Sequence, residues 1–271
     1  MNPRDKKYLE TFIENSSLLN GDVQPLNDGE VKMVSEFGYP LKWGRVIQNA
    51  SKNITFDETG DRDVIATIQR TIKGILRSSA PYQVSARVRM MNLSKPFTEF
   101  SKRKAHFRRI AETKDPSKNW KLSAVSVVKG GTEDQNVSID EIRLELSSGE
   151  KISIKGVEEQ VWPFGQNDPR IATVDAESMV NVTVKLHSRS LEPNMMVLRS
   201  GFGSWNYRGI LPFRSENRTG RHYLHTYEDR VWTRPQPGVY HAIVDAITRE
   251  TLCISDAPVS TSFLGLPYVV Q

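Results

Sequence analysis

Apolar and polar positions along this chain recur with two different periods. Near the start, Tyr8, Leu9, Phe12 and Ile13 fall at helical spacing, which predicts a short amphipathic helix over residues 4–19. Residues 20–60 are rich in turn signals, at Asn20-Gly21, Asn27-Asp28-Gly29, Tyr39-Pro40 and Thr59-Gly60. They read as a flexible arm or an irregular wrapping segment. Tyr39, Leu41, Trp43, Val46 and Ile47 would anchor it to a core or to a neighbouring subunit.

Over 62–77, Val64, Ile65, Ile68, Ile72, Ile75 and Leu76 predict a second helix. Asp61 or Asp63 would cap it, where the dipole favours an anion. Gly74 would be tolerated inside it at roughly 1 kcal/mol relative to Ala. The period then becomes two. Val84, Ala86, Val88 and Met90 face one way and Ser85, Arg87 and Arg89 the other, until Lys95-Pro96 ends the strand. Thr98 would cap a third helix over 99–112, closed by Asp115-Pro116.

Beyond it the pattern is mostly that of strands. Leu122–Val128 is an apolar run closed by Gly130-Gly131. Ile142, Leu144 and Leu146 return through a turn to Ile152 and Ile154. Val180, Val182, Val184 and Leu186 alternate with polar residues, Met195–Leu198 is a further strand, and Val239–Ile247 with Glu250–Ile254 predicts a last hairpin. There is no internal repeat and no regular βαβ alternation. The expected class is α+β, a mostly antiparallel sheet with two or three short helices and an N-terminal arm. Residues 1–60 would form the helix and arm, and 61–271 a single α+β domain.

Composition narrows the function. A chain of 271 residues with one cysteine, Cys253, cannot carry a disulfide framework or a cysteine-based zinc site, which favours a reducing compartment. No signal-peptide pattern opens the chain, and no apolar run reaches bilayer length, so an intracellular setting is expected. Charge changes the picture more. The chain carries 37 Lys and Arg against 32 Asp and Glu, a net +5, but residues 62–129 alone hold 16 cations and 4 acids. That +12 leaves −7 for the rest. Such asymmetry points to a polyanion, either nucleic acid or an anionic lipid surface. The densest run is Lys102-Arg103-Lys104-Ala105-His106-Phe107-Arg108-Arg109. On the expected helix its cations would cover most of the circumference, leaving Phe100, Phe107 and Ala111 as a docking stripe. The run also resembles a nuclear-import signal.

Catalytic and metal patterns are weak. His222 and His225 have helical ligand spacing but no matching carboxylate. No phosphate-binding glycine loop or nucleophile elbow occurs, Cys253 sits in an apolar run, and no cofactor is implied. Aromatics are interleaved with arginines from Trp162 to Arg234. Such sets occur at protein interfaces, can stack on single-stranded bases, and also fill core corners. Trp43, Trp162, Phe164, Trp205, Tyr207 and Trp232 are the candidates for self-association.

The stretch from Val84 to Phe97, a basic strand ending in Pro-Phe, is followed by the expected short helix. A lysine-led strand at Lys121–Val128 and a glycine turn come next. Over these 45 or so residues the chain resembles the central strand–helix–strand segment of rhabdovirus matrix proteins. The resemblance implies a compact α+β domain that self-associates, condenses ribonucleoprotein and binds anionic membranes. It carries over Arg87, Arg89, Lys95, Lys102, Arg103, Lys104, Arg108 and Arg109. Two features depart from the family: only Ala80-Pro81-Tyr82 faintly matches its proline-rich budding motif, and Lys6-Lys7 is a modest basic N-terminus.

The expectation is a non-enzymatic, matrix-like viral protein. Its partners would be viral nucleocapsid or RNA, an anionic membrane surface and further copies of itself. It would reside in the virion, the host nucleus or the inner face of a host membrane. The alternative is a cell-to-cell movement protein binding single-stranded nucleic acid. That reading favours an aspartate at the end of a central apolar strand, which the expected central strands lack; Asp245 comes late.

Overall fold

The structure is a computed structural model. It describes residues 1–20, 26, 32–34, 41–84, 87–134, 136–155, 161–163, 172–202 and 205–271. Among these, strands dominate, and the α+β expectation is corrected to a mostly β fold of two sheets.

The chain opens with α1 (Pro3–Asn15) and α2 (Ser17–Asn20). It continues through β1 (Lys32–Val34), β2 (Leu41–Glu58), β3 (Asp63–Val84) and β4 (Arg87–Arg109). After α3 (Pro116–Asn119) come β5 (Trp120–Ser126), β6 (Val128–Gly131), β7 (Val137–Glu145), β8 (Lys151–Lys155), β9 (Val161–Pro163) and β10 (Ala172–Val174). The last part holds β11 (Met179–Ser188), β12 (Met195–Phe202), β13 (Trp205–Ile210), β14 (Phe213–Thr219), β15 (His222–Trp232) and β16 (Gly238–Ile247). It ends with α4 (Arg249–Cys253) and β17 (Thr261–Val270). The larger sheet runs β1-β2-β3-β4-β6-β17-β16-β12-β13, and the smaller runs β14-β15-β11-β7-β8.

Both expected basic-region helices are strands. In β3, Val64, Ala66, Ile68, Ile72 and Leu76 are buried, and the odd positions between them face outward. A run of Val, Ile and Thr satisfies helical spacing by chance but loses side-chain freedom in a helix, and β3 is flanked by β2 and β4 over most of its length. In β4, Ser101, Arg103, Ala105 and Phe107 are buried while Lys102, Lys104, His106 and Arg108 are not, a period of two. Pro96 does not end the strand. Among the described residues β4 pairs beside it only with β3, so the missing N–H falls where no described strand needs it. Gly74 is required rather than tolerated, since a Cβ there would run into the Val46 carbonyl oxygen and the Phe97 ring.

Two further expectations change. β2 lies inside the sheet, between β1 and β3, where the sequence suggested an irregular arm. Glu250–Ile254 is not a strand; α4 occupies it, and β17 makes the last antiparallel pair with β16. The predicted strand at 180–186 is present as β11, with alternate residues buried.

Three cores result. Val244, Met196 and Leu264 of the larger sheet pack against Val182, Val184 and Leu186 of the smaller. The larger sheet also coils around Trp43, Ile72, Phe97, Ile243 and Phe263. Its far strand comes back over β2, where the Arg208 guanidinium lies 3.8 Å from the Trp43 ring centroid. At the open end of the β3–β4 hairpin, Leu9 and Ile13 of α1 pack on Val64, Ile68 and Phe107.

Candidate nucleic-acid interface

Alternation along β4 divides its cations between two faces. The outward face is assembled by register across four strands. Asn53, Gln69, Lys102 and Lys129 form one rung over β2, β3, β4 and β6, and Ser51, Thr71, Phe100 and Gly131 form the next. Neighbouring strands lie about 4.8 Å apart and same-face residues about 6.7 Å apart, so the two rungs make a continuous patch. Lys104 follows on the same face opposite Thr67, while Lys73 and Arg77 extend it toward the hairpin tip.

This patch is the floor of a groove of about 1040 Å³. Its wall comes from the smaller sheet and its approach: Glu133, Ser138 of β7, His187 of β11 and His222 of β15. The Ser262 hydroxyl accepts the Ile139 N–H at 3.3 Å and so ties the wall to β17. Phe100 is 40% exposed at the floor. The face can hold anionic oxygens on its lysines, meet polar edges with Asn53 and Gln69, and offer one aromatic surface.

β3 and β4 contain only two carboxylates, Asp63 and Glu99. Asp63 accepts from Arg108 Nε at 3.0 Å and stands 3.0 Å from His106 Nε2. The Arg108 hydrogen bond, with the charges of Arg108 and His106, holds its carboxyl below the usual range. Glu99 points inward, where Arg45 meets it at 2.9 Å and the Thr261 hydroxyl donates to it at 2.6 Å.

The other face uses its cations internally. Lys95 Nζ donates to the carbonyls of Thr251 and Ala257, each at 2.9 Å, and to that of Ile254. Burial lowers its pKa from the usual lysine value. Arg103 Nη1 donates to the Leu18 carbonyl at 2.6 Å, and Arg70 Nη2 to that of Leu19 at 2.9 Å. Both thereby satisfy backbone acceptors in α2 that would otherwise stay orphaned. Arg109 is half-buried, 3.5 Å from Asp5 and 5.7 Å from the Trp120 ring centroid.

The eight cations expected to form one surface are therefore dispersed. Lys102, Lys104 and Arg108 share the outward face, and Asp63 engages Arg108. Lys95 and Arg103 are buried, and Arg109 is held by α1. Arg89 is exposed near the hairpin tip, but by alternation it belongs with Lys95 and Arg103. The side chain of Arg87 lies outside the described residues.

Of the self-association candidates, Trp43 is fully buried and belongs to the core, while Trp232 is 67% exposed at the end of β15. The side chains of Trp162, Trp205 and Tyr207, and all of Phe164, lie outside the described residues. His222 and His225 sit on a strand three positions apart, so they face opposite sides and do not converge on one ion. His225 is buried, and desolvation lowers its pKa.

No family model, curated protein or solved structure matches the chain. Its functional reading rests on its own residues.

Sequence reasoning missed Ser51, Asn53, Gln69 and Thr71 altogether and set Lys129 outside the densest basic run. These residues come from separate strands and become neighbours only by pairing. The one signal available was the polar side of the period-two pattern in β3, which the helical reading concealed.

Proposed function

We propose that this chain is a non-catalytic viral RNA-binding protein, matrix-like in engaging ribonucleoprotein through the outward face of the β2-β3-β4-β6 sheet. The observation that carries the reading is the alignment of Lys102, Lys104 and Lys129 on one face, flanked by Lys73 and Arg77. Phosphate binding by such a face releases counterions and becomes strongly salt-dependent. The floor is built from amides, hydroxyls, lysines and a phenyl ring, groups suited to holding a polyanion. A recessed groove suits a threaded strand better than a flat lipid surface. Trp232 is an exposed candidate contact for self-association.

The test is the Lys102→Glu, Lys104→Glu, Lys129→Glu variant against oligouridine and against phosphatidylserine vesicles across a salt series. RNA binding is expected to be abolished at moderate salt while the fold is retained. Retained RNA binding would sink the reading, and loss of vesicle binding alone would move the partner to a membrane.

The cell-to-cell movement reading keeps the same RNA-binding face, and one observation favours it. Asp245 lies near the end of β16, an interior apolar strand of the larger sheet, paired with both β12 and β17. Imaging of a fluorescent fusion separates the two settings: intercellular channels for transport, nucleus or inner membrane for assembly.

A further inference from the structure

We infer that the groove floor around Phe100 is a base-stacking subsite that selects single-stranded over duplex RNA, an inference that rests on the RNA-binding reading above. Four observations support it together. Phe100 is a large apolar side chain left 40% exposed at a polar floor, although its strand neighbours on the opposite face are buried. Across the ladder it stands opposite Gly131, whose φ of 144° is a backbone conformation L side chains rarely adopt. Glycine leaves no side chain across from the ring, and a Cβ there would run into the Thr261 carbonyl oxygen of β17. Lys102 and Lys129 occupy the adjacent rung, and Asn53 and Gln69 complete it with amide donors and acceptors. The surrounding groove of about 1040 Å³ is concave and walled by His187 and His222.

A stacking ring beside paired cations is the arrangement by which proteins grip single strands without demanding a sequence. A base held in a duplex has its faces covered by its neighbours, so only unpaired or splayed bases can use the ring. In this groove a strand would lay phosphates along Lys129 and Lys102. One base would turn down onto Phe100, with its polar edge reaching toward the amides.

The test uses the full chain and a short oligouridine carrying a single 2-aminopurine, whose fluorescence is quenched on stacking. Phe100→Ala should weaken single-strand binding about tenfold and relieve the quenching. It should leave the salt slope and the affinity for duplex RNA unchanged, with circular dichroism unaltered. Phe100→Trp should restore both affinity and quenching. Equal single-strand affinity and quenching in Phe100→Ala would overturn the inference, as would an equal loss on duplex and single strand. The charge reading stands apart: Lys102→Gln with Lys129→Gln should lower the salt slope whatever Phe100 does. If neither the lysine nor the phenylalanine variants weaken binding, both readings fail.

Discussion

Lys95 and Lys102 lie on the same strand in opposite settings. Lys95 reaches three backbone carbonyls at the end of α4 and in the loop after it, whereas Lys102 stands on the groove floor. Substitution separates the two roles. Lys95→Met leaves those carbonyls without their donor and should destabilise the fold by about 1–3 kcal/mol in thermal or urea unfolding, with the salt slope of RNA binding unchanged. Replacing Lys102, Lys104 and Lys129 together by Gln should act on that slope. The salt slope for single-stranded RNA should fall by about 2, at about 0.7 per phosphate contact.

Glu141 shows a third kind of charge. Arg143 donates to it at 2.7 Å, Ser153 at 2.6 Å, and Lys185 approaches within 3.1 Å. Led by the Arg143 hydrogen bond, these partners lower its pKa from 4.5 to about 2. A depressed carboxylate stabilises the fold above its unfolded pKa, and the contribution fades as pH falls from about 4.5 through about 2. Glu141→Gln should therefore melt lower than the parent at neutral pH, and the difference should close across that acid window.

At the scale of elements, α1 and α2 are integral to the β3–β4 hairpin. Phe12 meets Phe107 edge-on at 5.6 Å, Leu9 and Ile13 fill the same core, and α2 supplies the carbonyls that Arg70 and Arg103 satisfy. Deleting residues 1–20 would expose that apolar face and leave both guanidinium groups without those acceptors. The truncated chain should lose thermal stability and bind a hydrophobic dye, where a detachable arm would leave both unchanged. The presence of a helix at the N-terminus was legible in the spacing of Tyr8, Leu9, Phe12 and Ile13. Its docking was not, because the pattern of α1 names an apolar face without naming its partner. Residues 63–77 of β3 and the part of β4 from residue 99 on read as helices for a related reason. Ile65, Ile68, Ile72 and Ile75 satisfy helical spacing, while alternation is visible only once Thr67, Gln69, Thr71 and Lys73 are seen to share a face.

For the whole molecule, the larger sheet closes over charges buried inside it. Arg45 of β2 meets Glu99 of β4 and Asp245 of β16, and Arg199 of β12 donates to Asp245 at 3.0 Å. Arg199 and Arg208 also lie over the Trp43 ring. The two arginines hold Asp245 ionised despite its complete burial. Asp245→Asn would leave them facing a neutral amide in a dry interior and should lower stability by about 3–5 kcal/mol, measured by chemical unfolding. Because the groove floor is the outer side of this same coil, single-stranded RNA should in turn raise the melting temperature of the parent protein.

The sequence alone determined the charge asymmetry, the half-buried strand β11 and the polyanion hypothesis, since these depend on composition and on local alternation. The tertiary structure decided which cations reach solvent. Side-chain direction on a strand is set by parity, and parity acquires meaning only when pairing and packing choose the buried face. It also decided the groove, because Asn53, Gln69, Lys102 and Lys129 are brought into one rung by hydrogen-bonded register, and the buried cluster, because Arg45 and Asp245 meet across 200 residues of chain.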